Sequence, residues 1–382
     1  MALTPTPSLT AVAATRLSGW LNHLGVSPMA FDDTISLINP LLAVHRLRAR
    51  VVSRQVETPT ATTFVLQAGP AFKGLRPGQH VVIGVVIQGV RHRRAYSPRA
   101  VEGQAGHFAI TVQRQVRGAV SNHLNDHLQV GQFIELEQAS GDFTLPSPTP
   151  PQLLLIAGGS GITPGMAMLA HLQAHARSTR ITLVYFARSR ADRIFAEQLD
   201  QLAANWPSFR YVAIDSLAHT PTTAHVNPAQ STPPVLDKGL LDATLPGWTQ
   251  IPTYCCGPAP LMDAARALWQ AAGASAQLHL EAFAVARPSG DPLARHAVRI
   301  VRESVPKQFI APGNETLLVA SELAGLSLKH GCRQGICHEC TCRLNSGSVR
   351  DLQSGQQIDG EGQPIRLCVS SAMSDLQLES LN

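Results

Sequence analysis

The chain has 382 residues, enough for two or three domains that each bury a core. It is 44% hydrophobic and 15% charged, and its net charge of +5 is spread thinly with no block of five or more basic residues, which excludes an evident nucleic-acid footprint. It holds no apolar run of about 18 residues, so no transmembrane helix is expected, and its first residues lack the basic-then-apolar pattern of a secretory signal.

Residues 1–42 read as an N-terminal helical extension. Leu9, Val12, Ala13, Leu17, Trp20, Leu21 and Leu24 recur at helical spacing, and Gly25 fits a helix stop. The stripe suits packing on the rest of the protein, or an amphipathic contact with a membrane or partner. Arg16 is its one basic residue, so attraction to anionic lipid would be weak. Residues 43–148 are β-rich, with candidate strands at Arg48–Val56, Thr62–Gln67, His80–Ile87, Val90–Ser97, Phe108–Gln113 and Phe133–Glu137. Short strands at this spacing suggest a small antiparallel β-barrel, interrupted by a helix near Gly118–Leu128. Two motifs stand out. In Arg94-Ala95-Tyr96-Ser97-Pro98, arginine can bind a pyrophosphate, tyrosine can stack on an isoalloxazine ring, and serine can hydrogen-bond flavin N5. In Gly118-Ala119-Val120-Ser121-Asn122, a helix N-terminus offers an anion site.

Residues 149–283 change character. Leu153–Ala157 is a continuous apolar strand, as in a parallel sheet. Gly158-Gly159-Ser160-Gly161-Ile162-Thr163-Pro164 follows, with Thr163 suited to an N-cap and Pro164 to the first helical position, so strand, turn and helix form a phosphate cradle. The next strand, Ile181–Ala187, leads through Arg188-Ser189-Arg190 to a helix expected at Asp192–Leu202. An arginine at that strand end can pair a 2′-phosphate, and no acidic residue is expected there to claim a free ribose, which points to NADPH over NADH. Strand Arg210–Ile214 precedes a Pro/Thr-rich stretch, 218–234, that reads as a solvated insertion. A last unit runs through Cys255-Cys256-Gly257-Pro258, where Gly257 and Pro258 break the strand so that a ligand can approach the backbone. Cys255 reads as a buried strand residue. Glu281-Ala282-Phe283 closes the domain, and 284–295 is a linker rich in turn residues.

In 296–382, strands at Ala297–Glu303 and Gln308–Ala311 and a helix at Thr316–Ala324 precede Cys332-x4-Cys337-x2-Cys340, with Cys368 far downstream and a final strand at Leu376–Leu378. This is the plant-type spacing for a [2Fe–2S] cluster, whose irons need four thiolates. Zinc sites favour two short cysteine pairs, and disulfide frameworks favour small secreted chains. Cys342 reads as a spare thiol on the following strand.

Taken together, these motifs resemble the ferredoxin–NADP reductase superfamily with a C-terminal plant-type ferredoxin. The resemblance covers about 340 residues. It implies a multidomain fold: an antiparallel β-barrel for FAD, an α/β parallel-sheet domain for NAD(P)H, and a β-grasp [2Fe–2S] domain. It also implies Arg94, Tyr96, Ser97, Gly118, Val120 and Ser121 at FAD, and Gly159, Ser160, Gly161, Thr163, Arg188, Arg190, Cys256, Gly257 and Pro258 at the nucleotide. Cys256 is implied beside the hydride-transfer position, and Phe283 near the flavin or in the core. The loop Leu328–Thr341, with Ile38–Leu42 and Arg91–Ser97, is similar to bacterial reductases that serve membrane acyl-CoA or fatty-acid desaturases. The implied activity is electron transfer from NADPH through FAD and the cluster to such a partner, in the cytoplasm at the inner face of the membrane. A reductase for a soluble multicomponent oxygenase or hydroxylase shares every cofactor, and a cluster-gated redox sensor without turnover is the reading from another class.

Overall fold

The computed structural model describes residues 28–116, 118–216, 236–283, 288, 290–302, 305–335 and 338–381. The helix expected near Leu9–Leu24, the stretch 218–234 and Cys337 lie outside them. The chain divides into two compact units, Met1–His92 with Tyr96–Glu281, and Arg93–Ala95 with Ala282–Asn382. No helix among the described residues is long and apolar enough to cross a membrane.

In the first unit, α1 (Pro28–Ile38) is tied down by one carboxylate. Asp32 is 1% exposed. It accepts the backbone N–H groups of Val44, His45 and Arg46 at 2.9, 2.8 and 2.6 Å. The short 3-10 turn Pro40–Leu42 then passes so close to Gly69 that a Cβ there would stand 2.1 Å from the Leu41 carbonyl oxygen. The stretch 28–42 of the N-terminal extension is therefore built into the fold.

The flavin-side sheet comprises β1 (Arg48–Thr58), β2 (Ala61–Ala68), β3 (Val81–Ile87), β4 (Val90–Tyr96), β5 (Pro98–Ala100), β6 (His107–Gln113) and β7 (Phe133–Leu136), in the order β4-β3-β7-β1-β2-β6-β5. The strands at its two edges are consecutive in the chain, with Ser97 alone between them. The sheet therefore curls until its edges approach, which is the small antiparallel barrel expected of this region. Phe64, Leu66, Ile83, Phe108 and Ile110 fill it, and α2 (Ala119–His127) adds Val120 and Leu124 to the same core.

The second sheet of this unit is parallel, in the order β10-β9-β8-β11-β12, from β8 (Gln152–Gly158), β9 (Arg180–Ala187), β10 (Phe209–Asp215), β11 (Thr253–Cys256) and β12 (Leu278–Glu281). The strand order reverses between β8 and β11, the place where open α/β sheets bind ligands beyond their carboxyl ends. Helix α3 (Ile162–His175) follows β8 and α6 (Ala259–Ala271) follows β11, with α4 (Ala196–Asn205) and α5 (Lys238–Thr244) between them in the chain. The helix expected at Asp192–Leu202 starts later. A 3-10 turn, Arg190–Asp192, comes first, and Phe195 takes a left-handed conformation (φ 63°) before the chain turns into α4.

The second unit holds a sheet in the order β14-β13-β20-β15-β18, from β13 (Arg295–Arg302), β14 (Val305–Pro312), β15 (Thr341–Ser346), β18 (Gln363–Arg366) and β20 (Leu376–Ser380). β13 and β20 run parallel in a sheet otherwise antiparallel, across which packs α7 (Leu317–Leu323), capped by Thr316 Oγ1 accepting from Val319 N–H at 3.3 Å. A smaller sheet, β17-β16-β19, is built from β16 (Ser348–Asp351), β17 (Gln357–Asp359) and β19 (Ser370–Ala372). These short strands were not expected from the sequence.

Candidate functional site

The flavin-side residues follow from the curl. Tyr96 ends β4 half-buried against the core, and Ser97 turns the chain toward β5. Ser97 is 5% exposed. Its Oγ is buried with no hydrogen-bond partner among the described residues. A buried hydroxyl in that state costs stability unless something pairs with it, which suits a ligand atom. Arg94 lies half-buried on β4 and donates from Nη1 to the Arg93 carbonyl at 2.8 Å. Gly118 caps α2 without a side chain, so no side-chain oxygen occupies the first-turn N–H groups. A Cβ on Gly118 would meet Ser121 Oγ at 2.5 Å. Ser121 Oγ accepts from Gln115 N–H at 3.2 Å and holds that cradle's shape, while Val120 points into the core at 1% exposure. Within the first unit, a lone hydroxyl, an aromatic face and an open helix end fit FAD.

On the nucleotide side, two turns meet backbone to backbone at the strand ends. A Cβ on Gly161 would stand 2.1 Å from the Cys256 carbonyl oxygen, and one on Gly257 would stand 3.0 Å from the Gly158 nitrogen. Gly159 takes φ +54°. Glycine takes the left-handed conformation at Gly159 and allows the close backbone approach at Gly161 and Gly257, each without strain. Pro258 serves as N-cap of α6. Gly161, not Thr163, occupies the N-cap of α3; Thr163 lies inside the first turn and its hydroxyl donates to the Ser160 carbonyl at 3.1 Å. The helix starts earlier than expected because the glycines let the chain turn immediately after the strand.

The arginines after β9 are not unaccompanied. Arg188 Nη2 donates to Asp192 Oδ1 at 2.5 Å, Ser189 Oγ donates to Asp192 Oδ2 at 2.8 Å, and Arg190 Nη2 donates to Asp200 Oδ2 at 2.7 Å. The sequence pattern put Asp192 inside the next helix. The 3-10 turn instead returns it to the strand end, so an acidic residue does stand there.

Cys256 is 2% exposed, and its thiol is pushed well up by burial first, then by Glu281 and Cys255. It is a neutral, compact surface at the mouth of the turn. Register sets Glu281 on β12 opposite Cys256 on β11. The Glu281 Oε2 is buried without a partner among the described residues, and burial lifts the carboxyl to about 8. Sequence reasoning used Glu281 only to close the domain. The one available signal was an acidic residue ending an otherwise apolar strand.

In the second unit, Cys332, Cys340 and Cys368 are 0%, 4% and 4% exposed. Cys340 Sγ and Cys368 Sγ lie 3.3 Å apart, as two thiolates on one tetrahedral iron would need to be neighbours. Gln334 N–H points at Cys332 Sγ (3.4 Å) and Gly335 N–H at Cys368 Sγ (3.2 Å), donors of the kind that stabilise a bound thiolate. The contact between the two thiols favours the thiolate at Cys340 and the protonated form at Cys368, so without a metal the pair shares a proton that ligation would have to displace. The loop takes left-handed φ at Arg333 (58°), Gly335 (72°) and His338 (56°). Its backbone is held from outside. Arg333 binds Glu322 through both terminal nitrogens, and Arg366 donates to the Gly335 carbonyl at 2.5 Å and to Asp351 at 3.1 Å. A Cβ on Gly335 would press on Val369 Cγ1 at 2.7 Å. Cys342 points into the apolar core from β15, where burial pushes its thiol up to about 12. This donor set fits a [2Fe–2S] cluster.

Comparison with known proteins finds the same three kinds of domain. The family described as oxidoreductase FAD-binding domain matches residues 48–145, oxidoreductase NAD-binding domain matches 155–267, and 2Fe-2S iron-sulfur cluster binding domain matches 301–373. An NADPH oxidoreductase of Mycobacterium tuberculosis is 33% identical over 97% of this chain and 95% of its own length. The glycine betaine monooxygenase reductase subunit of Chromohalobacter salexigens is 26% identical over 87% of this chain and 95% of its own. A solved phthalate dioxygenase reductase, described as modular for electron transfer from pyridine nucleotides to [2Fe-2S], superposes with a TM-score of 0.60 at 25% identity over 88% of this chain and 98% of that one.

Proposed function

Because this chain belongs to the ferredoxin–NADP reductase-like oxidoreductases that join FAD-binding, NAD-binding and [2Fe–2S] domains in one polypeptide, we propose that it draws on NADPH to reduce a separate oxygen-activating protein one electron at a time. The observation that carries this reading is the presence of both kinds of site in one chain: the buried, unpartnered Ser97 hydroxyl, and the paired Cys340 and Cys368 sulfurs. The flavin, when bound, accepts a hydride and gives up its electrons separately, and the cluster carries them singly.

In this reading, Ser97 donates its hydrogen bond to the reactive edge of the flavin, Tyr96 lines the ring, and Arg94 with the α2 N-terminus holds the pyrophosphate. The turn 159–161 and Thr163 seat the nucleotide phosphates, with Gly257 and Pro258 clearing the backbone. Cys256 remains a thiol at working pH, since burial holds it protonated, and so presents an uncharged face to the nicotinamide without becoming a nucleophile. Cys332, Cys337, Cys340 and Cys368 hold the cluster. NADPH is favoured through Arg188 and Arg190, with Arg188 exchanging Asp192 for the 2′-phosphate. Similarity to the NADPH oxidoreductase of Mycobacterium tuberculosis supports that choice.

For the acceptor, our reading is a membrane fatty-acyl desaturase met by a cytoplasmic reductase at the membrane surface. Its support is the sequence around Leu328–Thr341, Ile38–Leu42 and Arg91–Ser97. The second reading, a soluble multicomponent oxygenase, is favoured by the names of the Chromohalobacter salexigens relative and the phthalate dioxygenase reductase. The experiment mixes reductase and NADPH with a desaturase in vesicles and follows double-bond formation, beside a soluble oxygenase component whose reduction is followed optically. No desaturation together with brisk reduction of the soluble component refutes the desaturase reading. A docking role for the N-terminus is tested by deleting residues 1–27 only, because Asp32 and Leu41 belong to the fold.

A further inference from the structure

The glycine turn and the arginine loop are separated in sequence, yet one buried hydroxyl bonds to both. Tyr185 lies on β9 at 0% exposure. Its hydroxyl donates to the Gly159 carbonyl at 3.0 Å and accepts from Ile194 N–H at 3.1 Å. A phenylalanine would fill the same volume, and a buried hydroxyl costs stability unless its bonds are made, so the oxygen is there for those two bonds. Burial also pushes the phenol up, which keeps it a donor across the working range.

The two bonded groups are held differently by their own segments: the Gly159 carbonyl also accepts from the Ile162 N–H at the start of α3. Gly159 has no side chain and takes φ +54°. Ile194 sits between two anchors. Arg193 before it makes paired bonds to Asp215 at 2.9 and 2.5 Å, and the ring of Phe195 after it lies under the Arg99 guanidinium at 5.7 Å. Those anchors fix the far end of the loop against β10 and β5. Tyr185 links that end to the glycine turn.

We infer that Tyr185 is a positioning residue that fixes the distance between the pyrophosphate turn and the arginine loop, and thereby sets nucleotide affinity and selectivity for the 2′-phosphate. The inference rests on the reading that Gly159–Thr163 and Arg188–Arg190 hold the two ends of the nucleotide. A nucleotide spanning both segments gains from a spacing already fixed before it binds. NADPH, which uses the arginine end more fully than NADH, gains more.

The test is flavin reduction in the holoenzyme by NADPH and NADH, in wild type, Tyr185→Phe and Gly161→Val, after flavin and cluster spectra show each protein to be loaded. Tyr185→Phe is expected to raise the half-saturating NADPH concentration about tenfold, equivalent to about 1.4 kcal/mol. The limiting rate should stay within about twofold, and the NADPH/NADH ratio of kcat/KM should fall at least about threefold. An unchanged half-saturation, or a slower limiting rate at unchanged half-saturation, overturns the inference. Gly161→Val separates the two layers. If it leaves half-saturation at the wild-type value, the nucleotide reading itself fails; if it destroys saturation while Tyr185→Phe behaves as wild type, the clamp alone fails. Should Tyr185→Phe not load its flavin, amide hydrogen exchange in wild type decides the matter: the Ile194 amide is expected to be protected without nucleotide, and free exchange there overturns the inference.

Discussion

Replacing Glu281 by Gln removes an ionisable group from a place that disfavours its charge. Burial raises this carboxyl from an ordinary 4.5 to about 8. The folded chain therefore keeps a proton that the unfolded chain has already lost. Below about pH 4.5 both states are protonated and the contribution to stability is complete. Between about 4.5 and 8 the folded state alone holds the proton, so stability falls as pH rises, and above about 8 the loss is complete. At about 1.4 kcal/mol per pH unit, the whole interval sets a ceiling of about 5 kcal/mol. Oε2 is sealed but the residue as a whole is only half-buried, and water at its exposed side reduces the effect to about 2–3 kcal/mol. The assay is urea unfolding followed by tryptophan fluorescence, since Trp248 and Trp269 lie in the same unit. Between pH 5 and 9 the wild type should lose about 2–3 kcal/mol more than Glu281→Gln, leaving the variant the more stable protein at pH 9. Two curves that stay parallel within about 0.5 kcal/mol across that range refute the argument.

Three further outcomes are expected. Changing any one of Cys332, Cys337, Cys340 or Cys368 to Ser should abolish the visible [2Fe–2S] spectrum, while Cys342→Ser keeps it; an intact spectrum in Cys368→Ser would move the fourth ligand elsewhere. Arg188→Ala should lower kcat/KM for NADPH about tenfold by removing a charge-assisted bond and leaving Asp192 to repel the 2′-phosphate, with NADH little affected; a wild-type preference for NADH would contradict the assignment. Asp32→Ala takes the acceptor from three backbone N–H groups and should destabilise the first unit by about 3 kcal/mol, read as a lower unfolding midpoint with cluster absorbance unchanged.

The parts of this site that were legible in the sequence are those in which one short segment does the chemistry. The cysteine spacing is written within nine residues of loop, from Cys332 to Cys340, with Cys368 as its distant fourth. The Gly158–Thr163 turn shows itself because strand, glycines and helix follow directly. What stayed hidden depends on register or on contacts between distant segments. Glu281 matters because β12 pairs with β11 so that it faces Cys256, which no local pattern states. Asp192 was assigned to a helix because its neighbours have helical spacing; the left-handed Phe195 that delays the helix is set by packing. Tyr185 falls inside an expected strand, and no local pattern states that its hydroxyl bonds two separate segments. Asp32 lies in the stretch read as an extension, and its partners are twelve to fourteen residues away.

The passage from β4 to β5 through Ser97 limits how this protein can diversify. Two edges of one sheet are joined there by a single residue. An inserted residue between Tyr96 and Pro98 would spread the edges, flip the faces of the strand that follows, and carry the unpartnered hydroxyl out of its burial. Chain length at that joint is therefore fixed by geometry, whatever happens to residue identity. The turn at Gly103–Gly106 is the opposite case: a Cβ on either glycine meets nothing within 4 Å. Insertion libraries and natural length variants should thus be empty at Ser97 and well populated at 103–106, leaving the lineage free to reshape that outer turn while the joint keeps its original length.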